Sequence, residues 1–90
     1  MKLGTAIKGL LEELGIASQV TRGLAPALWA EVAGPTIAKH VSAERMEGNV
    51  LIVRAASPTW RNEVSLLRHE LVRALNKRIG NVVVKDIRII

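Results

Sequence analysis

Between Ser57 and Gly80 the apolar residues Trp60, Val64, Leu67, Leu71, Ala74 and Leu75 recur at steps of three and four. On a helical wheel they span about 100°, the width of a stripe that faces a core. Ser57 stands as N-cap with Pro58 at the first helical position, and Gly80 closes the run. Lys77 and Arg78 occupy the last turn, where the helix dipole favours cations. A long amphipathic helix of this kind must lie on an apolar surface, and the preceding residues supply one. Val41 to Glu47 reads as a strand, Glu47-Gly48-Asn49 as a turn and Val50 to Ala55 as the return strand. Leu51, Val53 and Ala55 share the face expected to meet the core, while Ile52 and Arg54 share the other.

The flanks complete the layout. Leu3, Ile7, Leu10, Leu11 and Leu14 form one helical face that Gly15 ends. Ser18 caps a second helix running to about Ala33, with its firm part starting at Pro26 in a first-turn position. Gly34 stops it, and Pro35 opens a short turn or helix through Thr36 to His40. The C-terminal run Val82 to Ile90 is β-rich, with a bulge expected near Lys85–Asp86, where the alternation breaks. The order α-α-β-β-α-β predicts an α+β domain over residues 1–90, a three-stranded sheet with helices on one face. The last strand is expected beside the first, with the return strand of the hairpin on the far edge and the other sheet face partly open.

Composition narrows the function. The 90 residues contain no cysteine, which excludes a disulfide scaffold and a thiolate metal site and fits a reducing cytoplasm. No apolar run approaches the roughly 18 residues of a membrane span, and Glu12–Glu13 interrupts any secretory-type apolar core after Lys2. Catalytic signatures are missing: there is no G-x-S-x-G, no phosphate-cradling glycine loop and no H-E-x-x-H. His40 and His69 sit in different elements without an acidic partner at metal-like spacing, so they read as surface or packing residues. No enzyme, cofactor or metal is expected.

The net charge of +5 is uneven. Residues 1–45 hold five Lys/Arg and four Asp/Glu, for +1; residues 46–90 hold eight and four, for +4. Such an excess points to polyanions, nucleic acid first, against the alternative of a merely solubilising surface. The expected contact set is Arg54, Arg61, Arg68, Arg73, Lys77, Arg78, Lys85 and Arg88. On the wheel Arg61 and Arg68 lie within about 20° of each other on one flank of the apolar stripe, and Arg73 and Lys77 lie on the opposite flank. Arg54 and Arg88 belong to the outer sheet face. Trp29 and Trp60 are the only aromatics, both on apolar stripes, so they read as core residues ahead of base-stacking ones. Without Phe or Tyr no sheet platform for stacked bases can be built, and nucleic acid would be held mainly through phosphates. Leu66 and Val72 fall off the stripe and either pack in a core flank or form a patch for a protein partner.

Several segments also resemble one known family. Leu28-Trp29-Ala30-Glu31-Val32-Ala33-Gly34 followed by Ile37-Ala38-Lys39-His40 is similar to its tryptophan–glycine signature. Gly48-Asn49-Val50-Leu51-Ile52-Val53 resembles its hairpin, and Ser57-Pro58-Thr59-Trp60 with Glu63-Val64 and Leu67 the start of its long helix. Leu75-Asn76 and Val84-Lys85-Asp86-Ile87-Arg88 resemble its ending. The family is DciA, bacterial proteins that act on the replicative helicase DnaB, and the likeness runs from about Leu3 to Ile89. It implies a KH-like domain that binds single-stranded or forked DNA and assists loading of DnaB at replication initiation, without ATP hydrolysis of its own. Two departures stand out. No G-x-x-G loop occurs, so the clamp of ordinary KH domains is missing. Many relatives carry a flexible extension beside this domain, whereas the sequence stops at Ile90; if helicase contact needs such an extension, a minimal or partly competent version is expected. A stand-alone KH-like RNA-binding module and a structural protein-interaction domain are the alternatives, and an exposed sheet edge or face would support a homodimer.

Overall fold

The computed structural model describes the backbone of residues 17–90 and side chains from residue 23 onward. The helix expected over Leu3 to Leu14 and its stop at Gly15 lie outside the described residues. The elements are α1 (Ala17–Ala33), α2 (Pro35–His40), β1 (Val41–Glu47), β2 (Val50–Ala55), α3 (Pro58–Leu66), α4 (Arg68–Ile79) and β3 (Asp86–Ile89). The chain is α+β, a three-stranded mixed sheet with helices packed against it.

The hairpin has the expected bounds. Glu47 pairs with Val50 across a two-residue loop, and Gly48 takes φ 60°, while among the described residues only glycines have positive φ. Glycine at the first central position is what a tight turn of the II′ kind requires, because its twist matches that of the strands. Ser57 caps α3 as expected: its hydroxyl accepts from the Trp60 N–H at 3.3 Å, with Pro58 in the first turn.

The strand order differs from the expectation. It is β1-β2-β3, with β2 central, antiparallel to β1 and parallel to β3. The reason lies in β2 itself. Leu51, Ile52 and Val53 are all buried, so the strand is covered on both faces, which suits a central strand. In β1, Ser42, Glu44, Arg45 and Glu47 are exposed or polar, which suits an edge. The bulge also falls elsewhere, between Ala43 and Arg45 of β1, and β3 begins only at Asp86, after Lys85.

Helix boundaries bring three further corrections. Helix α1 is already under way at Ala17, so Ser18 lies inside it and not at its cap. Pro26 is likewise internal; burial of its neighbours Ala25 and Trp29 offsets the backbone hydrogen bond a proline forfeits. The long helix is broken at Leu67, with φ −94° and ψ 3°, into α3 and α4. There the Leu67 N–H reaches both Glu63 O at 3.2 Å and Val64 O at 3.1 Å, a locally tightened turn.

One core results. Ala25 and Trp29 of α1, Val64 of α3 and Leu71 and Leu75 of α4 meet Val41, Leu51, Val53, Val84 and Ile87. Each buried side chain of this size contributes on the order of 1.5–3 kcal/mol. The Trp29 indole Nε1 donates to Val41 O at 2.8 Å, which satisfies the one polar atom of a buried ring and ties α1 to β1. No described helix is long and apolar enough to cross a membrane.

Asn76 organises the turn from α4 into β3. Its carbonyl O accepts from Gly80 at 2.8 Å and Asn81 at 3.2 Å, and Gly80 takes φ 88° as the left-handed cap. Its side-chain Oδ1 accepts from Val83 at 2.9 Å and Val84 at 2.8 Å, and its Nδ2 donates to Val84 O at 2.7 Å. A single amide thus holds a segment that has no strand partner of its own. Asn76→Ala is expected to leave these amides unpaired and to lower stability by about 2 kcal/mol in urea unfolding. An unchanged midpoint would show that the turn holds without this side chain.

Candidate nucleic-acid interface

The eight expected cations separate into two groups. Four are engaged by carboxylates. Arg54 Nε lies 2.6 Å from Glu44 Oε1, Arg78 Nε 2.7 Å from Glu31 Oε2, Arg68 Nε 3.3 Å from Asp86 Oδ1 and Arg88 Nη1 3.6 Å from Glu47 Oε2. The Arg68 contact is an ion pair without hydrogen-bond alignment, and its Nε is buried with no hydrogen-bond partner. Arg61, Arg73, Lys77 and Lys85 form no ion pair with any described residue, and neither does Lys39, which charge counting had not singled out.

Register explains the pairing on the outer sheet face. The bulge places Glu44 as the extra residue of β1 beside the Ser42–Arg54 pair, and it takes the Arg54 guanidinium. Across the sheet Arg45, Ile52 and Arg88 lie in one row. Glu47 binds Arg45 at 2.7 Å and Arg88 at 3.6 Å, two guanidiniums on one carboxylate. Ile52 is buried in the middle of this row, while Arg45, Arg54 and Arg88 around it are exposed, so the outer face is open in part, as expected.

Two open clefts meet at Arg61. One, of about 480 Å³, is lined by Lys39, His40, Ser42, Arg54 and Arg61 among others. The second, of about 350 Å³, is lined by Arg61, Ser65, Arg68, Asp86 and Arg88 among others. The break at Leu67 leaves Arg61 of α3 and Arg68 of α4 on the same cleft. Lys77 and Arg78 line a separate recess of about 570 Å³ with Glu31, Val32 and Ala74. Arg73 and Lys85 are exposed and line none of these three recesses. The cations therefore do not form one sheet of charge: Lys39, Arg54, Arg61, Arg68 and Arg88 gather around α3, and Lys77 and Arg78 stand between α1 and α4.

The remaining singled-out residues are also placed. Trp29 is buried in the core. Trp60 is half-buried, packs against the core and stacks on His40, with ring centroids 4.5 Å apart and planes 9° from parallel. Val72 is half-buried and packs against the core, whereas Leu66 is 74% exposed. Val82, 73% exposed, is a further apolar side chain that periodicity did not pick out. Among the described residues no three His, Asp or Glu side chains come together as a metal site.

The family model described as Dna[CI] antecedent, DciA, matches residues 2–89. The chain belongs to the DciA family. Among curated relatives, a UPF0232 protein of Streptomyces coelicolor is 35% identical over 92 residues, covering 100% of this chain and 48% of the relative. Another from Streptomyces avermitilis is 32% identical, over 99% of this chain and 50% of its own length. One from Mycobacterium ulcerans is 28% identical, over 97% and 46%. The chain thus spans about half the length of the curated relatives it matches.

Exposed ion pairs contribute little to stability but hold guanidiniums away from other anions. Glu47→Gln is expected to shift unfolding by less than about 0.5 kcal/mol. It should nonetheless raise the salt needed to elute the protein from phosphocellulose, because Arg45 and Arg88 are released together. Elution at unchanged salt would show that the outer sheet face takes no part in anion binding.

Proposed function

We propose that the chain is one DciA-like domain that acts as a DNA-binding adaptor of the bacterial replicative helicase DnaB. In this reading it assists helicase loading in the cytoplasm and catalyses nothing itself. The observation that carries the reading is the family match over residues 2–89. Charge supports the DNA part: Lys39 and Arg61, without an ion pair among the described residues, stand beside Arg54, Arg68 and Arg88 on two adjoining clefts. Guanidinium groups bind phosphate in a fixed fork, and their release of counterions makes such binding steeply salt-dependent. The absence of a base-reading helix motif or a G-x-x-G loop from the sequence agrees with contact that is weakly selective for sequence.

Two measurements test the proposal. DnaB is expected to be retained by the immobilised chain, and the chain to increase helicase loading on a forked DNA; neither retention nor increased loading would remove the adaptor role. In a salt titration of single-stranded DNA binding, Arg61→Ala is expected to weaken affinity and to make the salt slope shallower by about one. An unchanged slope would move the DNA surface away from α3. Competition with RNA of equal length separates the RNA-binding alternative, which requires RNA to win.

A further inference from the structure

An aromatic pair stands beside the cationic clefts around α3. Trp60 packs one side against the core, and His40 lies flat on it, 4.5 Å away and within 9° of parallel. His40 ends α2, is exposed, and its ring nitrogens make no hydrogen bond to any described residue. The imidazole also lines the cleft of about 480 Å³ that contains Lys39, Arg54 and Arg61. That volume falls in the range that encloses a ligand of nucleotide size.

We propose that His40, held flat by Trp60, is a base-stacking platform in a single-stranded DNA site whose adjoining phosphates are taken by Lys39, Arg54 and Arg61. The inference rests on the reading of the domain as a DNA binder and adds a base contact to the phosphate contacts. Trp60 covers only one face of the His40 ring, and a nucleobase on the other face would extend an existing stack. The stack fixes the imidazole plane in advance, so little ordering remains when a base arrives. Lys39 precedes His40 in the chain, and Arg61 follows Trp60, so each ring of the pair has a cation as its neighbour. Aromatic rings beside a cationic groove are the arrangement by which proteins hold single strands with little regard to sequence, since every base has a π-face. Duplex DNA offers no unstacked base for such a platform.

The test compares a labelled oligodeoxythymidine with an abasic deoxyribose-phosphate polymer of equal length, by fluorescence anisotropy at one low salt concentration. The wild type should favour the oligomer with bases about tenfold, toward the low end of what one stacked base supplies. His40→Ala should abolish that preference and leave affinity for the abasic polymer within about twofold. His40→Phe should restore it, which separates stacking from charge and hydrogen bonding. Arg61→Ala should weaken both polymers alike. A preference that survives His40→Ala, or that does not return with His40→Phe, overturns the platform and leaves the DNA-binding reading intact, as does equal binding of the two polymers by the wild type. Binding of neither polymer overturns both. His40 is exposed, and a circular dichroism melt of each variant verifies its fold.

Discussion

Three consecutive buried side chains in β2, Leu51, Ile52 and Val53, govern the architecture. Alternate residues of a strand point to opposite faces, so such a run needs cover above and below and a partner on each side. β1 is delivered by the two-residue turn at Gly48-Asn49, and the other side must be filled from elsewhere in the chain. β3 fills it in parallel, which obliges the connection to cross over the sheet. Helices α3 and α4 are that crossover. Their apolar stripe meets Leu51, Val53 and Ile87, and their polar flank is carried to the edge of the sheet, where Arg61 and Arg68 stand beside Arg88.

Electrostatics then divides the cations by their neighbours. The same register that centres β2 sets Arg45, Ile52 and Arg88 in one row and brings Glu47 within reach of both arginines. The bulge sets Glu44 against Arg54. These pairs are solvated, so a phosphate competes with the carboxylates at modest cost. Lys39 and Arg61 have no carboxylate to leave among the described residues, and they lie on the cleft that His40, stacked on Trp60, also lines. Charge and π-surface are concentrated where α2 leads into β1 and β2 leads into α3, at the end of the sheet where Val41 pairs with Ala55.

Asn76 shows how little side-chain chemistry is needed to complete such a fold. The segment after α4 has to enter the sheet beside β2 without a hairpin to guide it. One carboxamide, accepting from two backbone amides and donating to one carbonyl, holds the segment in the orientation from which β3 begins. The Lys85 N–H then bonds to Asn49 O at 2.8 Å, and the ladder runs on to Ile90.

Local signals were legible in the amino-acid sequence because their causes are local. Ser57-Pro58 starts a helix through its own hydroxyl and ring, Gly48 and Gly80 turn the chain because they alone accept positive φ, and the hairpin follows from alternation across a short turn. The surplus of cations in residues 46–90 and their flanks on the helix were equally visible. Strand order was not, since nothing in the run Val82 to Ile90 says which neighbour offers an unfilled edge; burial of Ile52 between Arg45 and Arg88 decided it. Nor could counting charges tell Arg61 from Arg88. Whether a guanidinium is engaged depends on which carboxylate the register brings within about 4 Å, and that distance exists only after the sheet has formed. The His40–Trp60 stack is of the same kind: two residues 20 apart in the chain become one surface because α2 and α3 enter and leave the sheet at the same corner.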